Sequence, residues 1–363
     1  MNATIRAGWL AGLLSLAAPY TSGQSLNIYN WSDYIGDKTV ARFQQETGIT
    51  VKYDVYDSND TLQAKLLAGR TGYDIVVPSA NFMARQIQAG IYQPLDKAKL
   101  PNLVNLDKNI MRLVADADPG QKYSVPWAWI TIGLGVNVER TRSALGTESR
   151  IDSWDLLFNP ASLSKLKSCG VSILDEPTDV LPAVLHYLHK DPNSTSPADY
   201  QEAFRVLKKI RPYITQFNSS GYINDLANGD VCVAMGYSGD VNIARHRAME
   251  ARRPYRIDYI IPASGAPAGF DMMVVPKDAP NPAAAMAWIN FILRPQINSE
   301  ITNKVYYPTA NLAARQFVKP ELANNPAIYP PDSVIKTLFL LKPLPSDILR
   351  LEHRLWSELK TGR

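Results

Sequence analysis

Residues 26–78 read LNIYNWSDYIGDKTVARFQQETGITVKYDVYDSNDTLQAKLLAGRTGYDIVVP, and the predicted architecture follows from the order of patterns within them. Three short segments rich in β-branched or aromatic residues are typical of strands, and the two segments between them are typical of helices that stop at glycine. In chain order, the five segments are residues 26–31, 39–47, 49–55, 59–68 and 73–78. This alternation predicts an α/β unit with a largely parallel sheet. Because ligands of such sheets bind beyond the carboxyl ends of the strands, we expect a site at the loops after Asn30 and Pro78.

The same alternation continues along the chain and predicts a second unit. We predict strands at residues 132–137, 231–235, 259–262 and 272–276, a helix capped by Ser153, and helices at residues 181–188, 198–209, 222–227 and 283–293. A chain of 363 residues is long enough for two cores. We expect a first α/β lobe from residues 26–134 plus 258–306 and a second from 135–257 plus 307–363.

The N-terminus predicts export from the cytoplasm. Residues 7–19 form an apolar run after Arg6, and small residues follow it. This run is shorter than the roughly 20 residues that a membrane span requires. We therefore expect a cleaved signal peptide over residues 1–23 instead of an anchor. Since export leads to an oxidising compartment, we also expect a disulfide between Cys169 and Cys232, the alternative being two buried thiols.

Composition and missing motifs exclude several classes of function. The net charge of +4 is small for this length, and the basic residues are scattered, which disfavours nucleic acid as a partner. The four histidines form no HExxH pair, so we expect no metal site. Residues 133–135 lack the third glycine of a dinucleotide fingerprint, and residues 236–239 miss the nucleophile-elbow spacing. We expect no catalytic residue and no cofactor.

Loops that combine aromatic and acidic residues are the strongest functional signal. They are residues 31–34 (WSDY), 237–240 (YSGD), 270–271 (FD) and 306–307 (YY). Ring faces attract an ammonium group and pack on its methylene chain, while carboxylates pair with its charge. Taken one at a time, each ring is better explained by core or rim packing and each Asp by a turn or helix cap. As a set, they favour a site for an organic cation with charged ends.

Six motifs closely resemble the periplasmic putrescine- and spermidine-binding proteins of bacterial ABC transporters. They are residues 30–35 (NWSDYI), 73–79 (YDIVVPS), 93–96 (QPLD), 222–230 (YINDLANGD), 239–241 (GDV) and 325–331 (NPAIYPP), and the resemblance spans nearly the whole chain after the signal. It implies a two-lobe periplasmic binding protein of the venus-flytrap type II class, with hinge-linked α/β lobes. It also implies a polyamine ligand, a membrane permease as partner, a periplasmic location, a monomer and no enzymatic activity.

The resemblance assigns a role to each candidate site residue. Trp31, Tyr34, Tyr237 and Tyr307 form the aromatic box, and Ser32, Asp33 and Ser79 supply polar contacts. Asp240 and Asp271 pair with one ammonium group. Asp179 replaces a family acid, usually Glu, that serves the other end through water. Cys169 and Cys232 match the family's disulfide.

Two positions depart from the putrescine-binding members of that family. Tyr237 replaces a Trp, and Gly269 replaces a large aromatic residue, so we expect a roomier cavity. This predicts acceptance of a longer or bulkier amine such as spermidine, or weak binding of putrescine. Two other readings stay open: a binder of a different organic amine, and a periplasmic sensor that reports the same ligand to a receptor.

Overall fold

The computed structural model describes residues 24–362, so the predicted signal peptide lies outside the described residues. In this range the chain forms ten strands: β1 Ser25–Trp31, β2 Thr50–Tyr56, β3 Ile75–Val76, β4 Ser124–Asn137, β5 Val171–Ile173, β6 Gln216–Phe217, β7 Val233–Tyr237, β8 Ile257–Ile260, β9 Pro267–Val274 and β10 Phe339–Leu340.

Sixteen α-helices alternate with these strands over the same residues. They are α1 Thr39–Thr47, α2 Asn59–Ala68, α3 Ala80–Gln88, α4 Lys108–Leu113, α5 Val138–Leu145, α6 Asp155–Phe158, α7 Pro160–Leu166, α8 Pro177–Tyr187, α9 Pro197–Ile210, α10 Tyr222–Asn228, α11 Ser238–Glu250, α12 Pro282–Ile292, α13 Pro295–Val305, α14 Pro320–Ala323, α15 Asp332–Ile335 and α16 Ser346–Thr361. Short 3₁₀ helices lie at Lys97–Lys99, Pro101–Asn105, Val114–Asp116, Lys167–Cys169, Arg211–Tyr213 and Leu312–Phe317.

Strand β4 belongs to both lobes. Its first half, from Ser124 to Thr131, pairs antiparallel with β9 in a sheet ordered β2-β1-β3-β9-β4. Its second half, from Ile132 to Asn137, pairs antiparallel with β7 and β8, and the sheet continues through β5 to β6. Each sheet has its own packed helices and buried core. The predicted two-lobe α/β fold is confirmed, and the lobes meet where β4 passes from one sheet to the other.

The first lobe begins as its sequence pattern predicts. Helices α1 and α2 have the predicted bounds, and Gly48 (φ 71°) and Gly69 (φ 68°) end them in backbone conformations that favour glycine. Strand β3 is shorter than the predicted 73–78. The Asp74 carboxylate accepts from the backbone N–H of Asn27 at 2.8 Å, and Pro78 has no N–H to donate. Backbone bonding nevertheless continues past both ends of the strand, because the Asp74 N–H donates to the Asn27 carbonyl at 2.7 Å and the Met272 N–H donates to the Pro78 carbonyl at 2.9 Å.

Elements of both lobes differ from prediction at their ends. Ser153 does not occupy the N-cap of α6, which is Trp154, although its hydroxyl accepts from the Asp155 N–H at 3.1 Å. Strand β7 begins two residues later than predicted and extends to Tyr237, because it pairs with β4 as far as Ile132. Strand β9 begins at Pro267, several residues before the predicted start, because its first residues pair with β10 and β4.

The predicted lobe limits stay a prediction, and two observations bear on them. Strand β8, part of which the prediction assigned to the first lobe, pairs with the second-lobe half of β4. Tyr307 and Ala310, which the prediction assigned to the second lobe, pack in the core that contains Leu26 and Ile28 of the first. Both segments lie next to the connections between lobes, where sequence pattern does not distinguish one sheet from the other.

A disulfide joins Cys169 to Cys232, as predicted, with their Cα atoms 5.5 Å apart. It connects the segment before β5 to the segment before β7, within the second lobe. Closing a loop across 63 residues contributes about 4 kcal/mol to stability in the chain-entropy account. Among the helices of residues 24–362, none combines the length and apolar character that a membrane span needs.

Candidate functional site

A cleft of about 1220 Å³, including its opening to solvent, lies between the two lobes. Its lining contains all ten residues that the sequence singled out: Trp31, Ser32, Asp33, Tyr34, Ser79, Asp179, Tyr237, Asp240, Asp271 and Tyr307. They come from the end of β1 and the loop after it, the loop after β3, the start of α8, the end of β7, the start of α11, strand β9 and the segment after α13. Both lobes therefore contribute rings and acids to one cavity.

Trp31 is fixed at the carboxyl end of β1. Its indole N–H donates to the Val77 carbonyl at 2.8 Å, and its ring centre lies 4.6 Å from that of Tyr56. The Tyr56 hydroxyl donates to the same carbonyl at 2.6 Å. The indole is thereby held against the first lobe with one part of its ring system in the cleft lining.

Asp271 on β9 is buried and accepts two hydrogen bonds. The Tyr34 hydroxyl donates to one carboxylate oxygen and the Ser79 hydroxyl to the other, each at 2.7 Å. Asn59 fixes Ser79 in turn, because its side-chain amide donates to the Ser79 hydroxyl and its amide oxygen accepts from the Ser79 backbone N–H, both at 3.1 Å. Burial raises the pKa of Asp271 to about 6, while the hydrogen bonds from Ser79 and Tyr34 oppose the rise.

Asp240 lies in the first turn of α11 and is held in the same way. The Tyr307 hydroxyl donates to one oxygen at 2.6 Å, and the Tyr222 hydroxyl donates to the other at 3.0 Å. Burial raises the pKa of Asp240 to about 6, against the effect of both hydrogen bonds. A Cβ atom at Gly239 would overlap the Tyr307 ring, so only glycine allows this approach.

The position of Tyr307 depends on the backbone conformation of the residue before it, Tyr306. Tyr306 ends α13 in the left-handed region at φ 62°, which is rare for a bulky side chain. The chain reverses there, and the buried Tyr307 ring meets Tyr34 edge-on with ring centres 4.9 Å apart. Because both hydroxyls donate to acids, the two rings and the two acids form one connected wall.

Asp179, in the first turn of α8, is a third acid of the cleft and is half-buried. The Tyr237 hydroxyl donates to it at 2.7 Å. Burial raises the pKa of Asp179 to about 7; the Tyr237 hydrogen bond opposes the rise, and the negative charge of Asp271 adds to it. Since Asp179 belongs to the second lobe and Asp271 to the first, the lobes are close enough for their charges to interact.

Asp33 stands at the mouth of the cleft, where its side chain is 56% exposed. One of its oxygens lies 3.6 Å from the Arg247 guanidinium on α11. This ion pair joins the two lobes across the opening, and its exposure limits its contribution to less than about 1 kcal/mol.

Gly269 leaves part of the cavity wall open. A Cβ atom at this position would meet the side chain of Ile130 at an ordinary 3.6 Å, so a side chain could be added there without collision. Tyr237 instead is fixed by its bond to Asp179. The sequence-based expectation of extra space therefore concerns mainly the neighbourhood of Gly269.

Sequence reasoning missed three positioning residues. Tyr222 accepts from the Tyr237 backbone N–H at 2.9 Å while it donates to Asp240, so it connects two site residues. Asn59 orients Ser79, and Tyr56 packs on Trp31. Tyr222 begins a motif that carried the family resemblance, which is a signal that could have indicated it. Asn59 and Tyr56 show no sequence feature beyond the ends of a helix and a strand.

The cleft is suited to hold a cation with more than one charged end. The buried Asp271 and the half-buried Asp179 and Asp240 line it, and among residues 24–362 none of the three forms an ion pair with Lys, Arg or His. No cluster of His, Cys, Asp and Glu suited to a metal ion occurs in the described part of the chain. Ammonium groups would supply the missing positive charge, and the rings would contact the carbon chain between them.

The chain is similar to known proteins along nearly its whole length. Residues 38–330 match the family described as bacterial extracellular solute-binding protein. The chain is 48% identical over 360 residues to the putrescine-binding periplasmic protein SpuD of Pseudomonas aeruginosa (strain UCBPP-PA14), covering 99% of this chain and 98% of the relative. It is 49% identical over 363 residues to the putrescine-binding periplasmic protein PotF of Escherichia coli (strain K12), covering 98% of each.

A solved structure also matches over nearly the whole chain. The putative spermidine/putrescine ABC transporter from Listeria monocytogenes superimposes with a TM-score of 0.84 at 31% identity. The match covers 94% of this chain and 100% of the other.

Proposed function

Since this chain belongs to the family of bacterial extracellular solute-binding proteins, we propose that it captures a polyamine between its lobes and delivers it to an ABC transporter permease. Relatives that match along nearly its whole length are named as putrescine-binding periplasmic proteins. The chain is accordingly a binding protein and not an enzyme. The observation that carries the choice of ligand is the set of three cleft carboxyl groups, one buried (Asp271) and two half-buried (Asp179 and Asp240), that form no ion pair with Lys, Arg or His among residues 24–362.

The proposed roles follow the position of each residue in the cleft. Trp31, Tyr34, Tyr237 and Tyr307 enclose the carbon chain of the ligand, and Ser32, Asp33 and Ser79 provide polar contacts from the first lobe. Asp240 and Asp271 hold one ammonium group, and Asp179 serves the other end. Support comes from the lining of the cleft and from the hydrogen bonds that aim Tyr34 and Tyr307 at these acids.

The energetics are adequate for capture. Removing an ammonium group from water costs several kcal/mol, which a carboxylate at each end offsets. Cation–π contacts add about 1–2 kcal/mol each when desolvated. Together these terms bring the binding free energy towards the roughly −8 kcal/mol of a micromolar complex.

The space beside Gly269 supports a broad amine range. We propose that the cleft accepts amines longer than putrescine, because no side chain fills this part of the wall. We further propose that the protein acts as a monomer in the periplasm after its signal peptide is cleaved, as the names of its relatives suggest for location.

Isothermal titration calorimetry with putrescine, cadaverine, spermidine, spermine, agmatine and γ-aminobutyrate tests the proposed function. We expect at least one diamine or longer polyamine to bind with a dissociation constant in the micromolar range or below. Asp271→Asn is expected to weaken that binding by about a hundredfold, because a charge-assisted pair is lost in a buried site. The exposed Asp278→Asn serves as the matched control and should leave affinity unchanged. Absence of binding for every amine would reject the proposal.

A further inference from the structure

Beside Gly269, the cleft has a further wall that contains none of the ten predicted site residues. One side of it comes from the end of α4 and the 3₁₀ helix that follows, and the other comes from β10 and the residues after it. We call this part of the cavity the distal compartment. Its apolar lining consists of Leu113, Val114, Ala117, Ile130, Leu340 and Leu341. The resemblance to known proteins assigns none of these residues a role.

Hydrogen bonds hold the β10 side of the distal compartment in place. Leu340 pairs with Ala268 of β9, and the Leu341 N–H donates to the Ala268 carbonyl at 3.3 Å. Asn193, between α8 and α9, fixes the same segment from the other direction. Its side-chain amide donates to the Leu340 carbonyl at 3.0 Å, and its amide oxygen accepts from the Lys342 N–H at 2.8 Å. Residues 340–342 therefore occupy a fixed position at the cleft.

The α4 side of the distal compartment presents apolar surface to the cavity. Leu113, the last residue of α4, lines the cleft and is 52% exposed. Val114 is buried in the core cluster that contains Phe270, and Ala117 and Leu340 pack against that cluster. The two sides of the compartment thus belong to one apolar surface. A large aliphatic side chain that is exposed inside a cavity gains from contact with an apolar part of a ligand.

The charges of the distal compartment do not favour an additional ammonium group. Asp116 and Lys342 supply one charge of each sign, and both side chains are exposed. Solvent screens the attraction of Asp116 for a cation, and Lys342 opposes it. Desolvating an ammonium group against aliphatic side chains would cost several kcal/mol that no buried carboxylate of this compartment offsets. An uncharged group meets no such cost.

We propose that the distal compartment binds an uncharged alkyl substituent on one nitrogen of a diamine. Gly269 and Asp271 lie two residues apart on β9, so they share one face of the strand. A substituent on the ammonium group held by Asp271 can therefore extend past Gly269, where no side chain fills the wall. The proposed ligand class is an N-alkylated diamine, which is charged at both nitrogens and apolar at one end. This inference rests on the proposed function.

Calorimetry with putrescine, N-propylputrescine and spermidine tests the proposal. The last two share a four-carbon core and a three-carbon arm, and only spermidine carries an ammonium group at the end of the arm. We expect N-propylputrescine to bind about tenfold more tightly than putrescine, since each fully buried methylene adds about fourfold and the compartment stays partly open to solvent. Spermidine should bind at least about threefold more weakly than N-propylputrescine, because its third ammonium group is desolvated and repelled by Lys342.

Three variants locate the alkyl group. Leu113→Ser should reduce the preference for N-propylputrescine over putrescine to about a third, because apolar contact is removed from the wall. Leu67→Ser makes the same exchange at a leucine that is 67% exposed and lies outside the cleft lining, so it is the matched control and should keep the wild-type preference. Lys342→Gln should narrow the difference between N-propylputrescine and spermidine by about twofold, because a repulsive charge is lost.

The outcomes separate this inference from the proposed function. A wild type that binds neither these amines nor those tested above rejects the function itself. If the wild type binds an amine but does not prefer N-propylputrescine to putrescine, or binds spermidine more tightly than N-propylputrescine, only the distal compartment is rejected. The same holds if Leu113→Ser and Leu67→Ser change the preference equally. Melting temperatures show which variants are folded, and Leu113→Gln replaces Leu113→Ser if the latter does not fold.

Discussion

Hydrogen bonds orient three aspartates in one cleft so that their carboxylates can pair with cations. Asp179, Asp240 and Asp271 each accept at least one hydrogen bond from a tyrosine hydroxyl, and each has a raised pKa because the surrounding protein removes water from its carboxyl group. Tyrosine hydroxyls stabilise a carboxylate without cancelling its charge. The acids therefore remain available to an ammonium ligand, which a lysine or arginine partner in the protein would prevent.

Gly269 is predicted to set ligand size. Gly269→Phe should raise affinity for putrescine by about tenfold, because a ring at the open wall adds an aromatic contact worth roughly 1–1.5 kcal/mol. The same substitution should weaken binding of spermine, which needs the space. Gly269→Ala, whose Cβ has room beside Ile130, is the control and should resemble the wild type in calorimetry. Unchanged or weaker putrescine binding by Gly269→Phe would contradict this assignment.

The start of helix α11 places Asp240 in the cleft. Its first residues, Ser238 to Asp240, follow β7 directly, so the carboxyl end of that strand presents Asp240 to the cleft. Gly239 has no Cβ where the Tyr307 ring packs. The close contact between Gly239 and the Tyr307 ring therefore fixes the start of α11 and the end of β7 relative to the segment after α13.

Gly239→Ala is predicted to separate Tyr307 from Asp240. The added Cβ overlaps the ring, so Tyr307 must move and its 2.6 Å bond to Asp240 is lost. We expect amine affinity to fall by at least about tenfold and stability by about 1–3 kcal/mol, as overpacking usually costs. Gly269→Ala is the matched control, since the same atom is added where space exists. Wild-type affinity in Gly239→Ala would show that this contact is not needed.

Element type was predictable from the sequence, whereas element ends were often set by distant partners. The predicted bounds of α1 and α2 are confirmed because their periodicity and terminal glycines are local signals. Strand β9 begins earlier than predicted because its first residues pair with β10, a segment about 70 residues later. Trp31 and Asp271 could be named as site residues because the family pattern marks them. Asn59 and Tyr56 could not, because their roles arise from contacts that only the folded chain creates.

At the scale of the whole molecule, the buried acids predict an unusual dependence of stability on pH. The ordinary Asp pKa of 3.8 is raised to about 7 for Asp179 and to about 6 for Asp240 and Asp271. The folded state thus binds these protons more tightly than the unfolded state does. Their contribution to stability is most favourable below about pH 4 and is lost progressively as pH rises to about 7.

Calorimetry from pH 5 to pH 8 checks this prediction. The ligand-free wild type should lose more stability than Asp179→Asn over this range, since the variant lacks the most strongly shifted group. Amine affinity of the wild type should increase over the same range, because the acids must be charged to bind ammonium groups. Parallel stability curves for the two proteins would contradict the assigned pKa of Asp179.

Strand β4 limits how this protein can diversify. From Ala128 to Asn137 it pairs without interruption, first with β9 and then with β7 and β8. Inserting or deleting one residue there would move the side chains that face the core of one lobe to the opposite face of its sheet. The shape of the cavity can therefore change in evolution through substitutions, as at Gly269, or through changes in loop length. The number of residues in β4 between the two lobes cannot change without disrupting one of the two sheets.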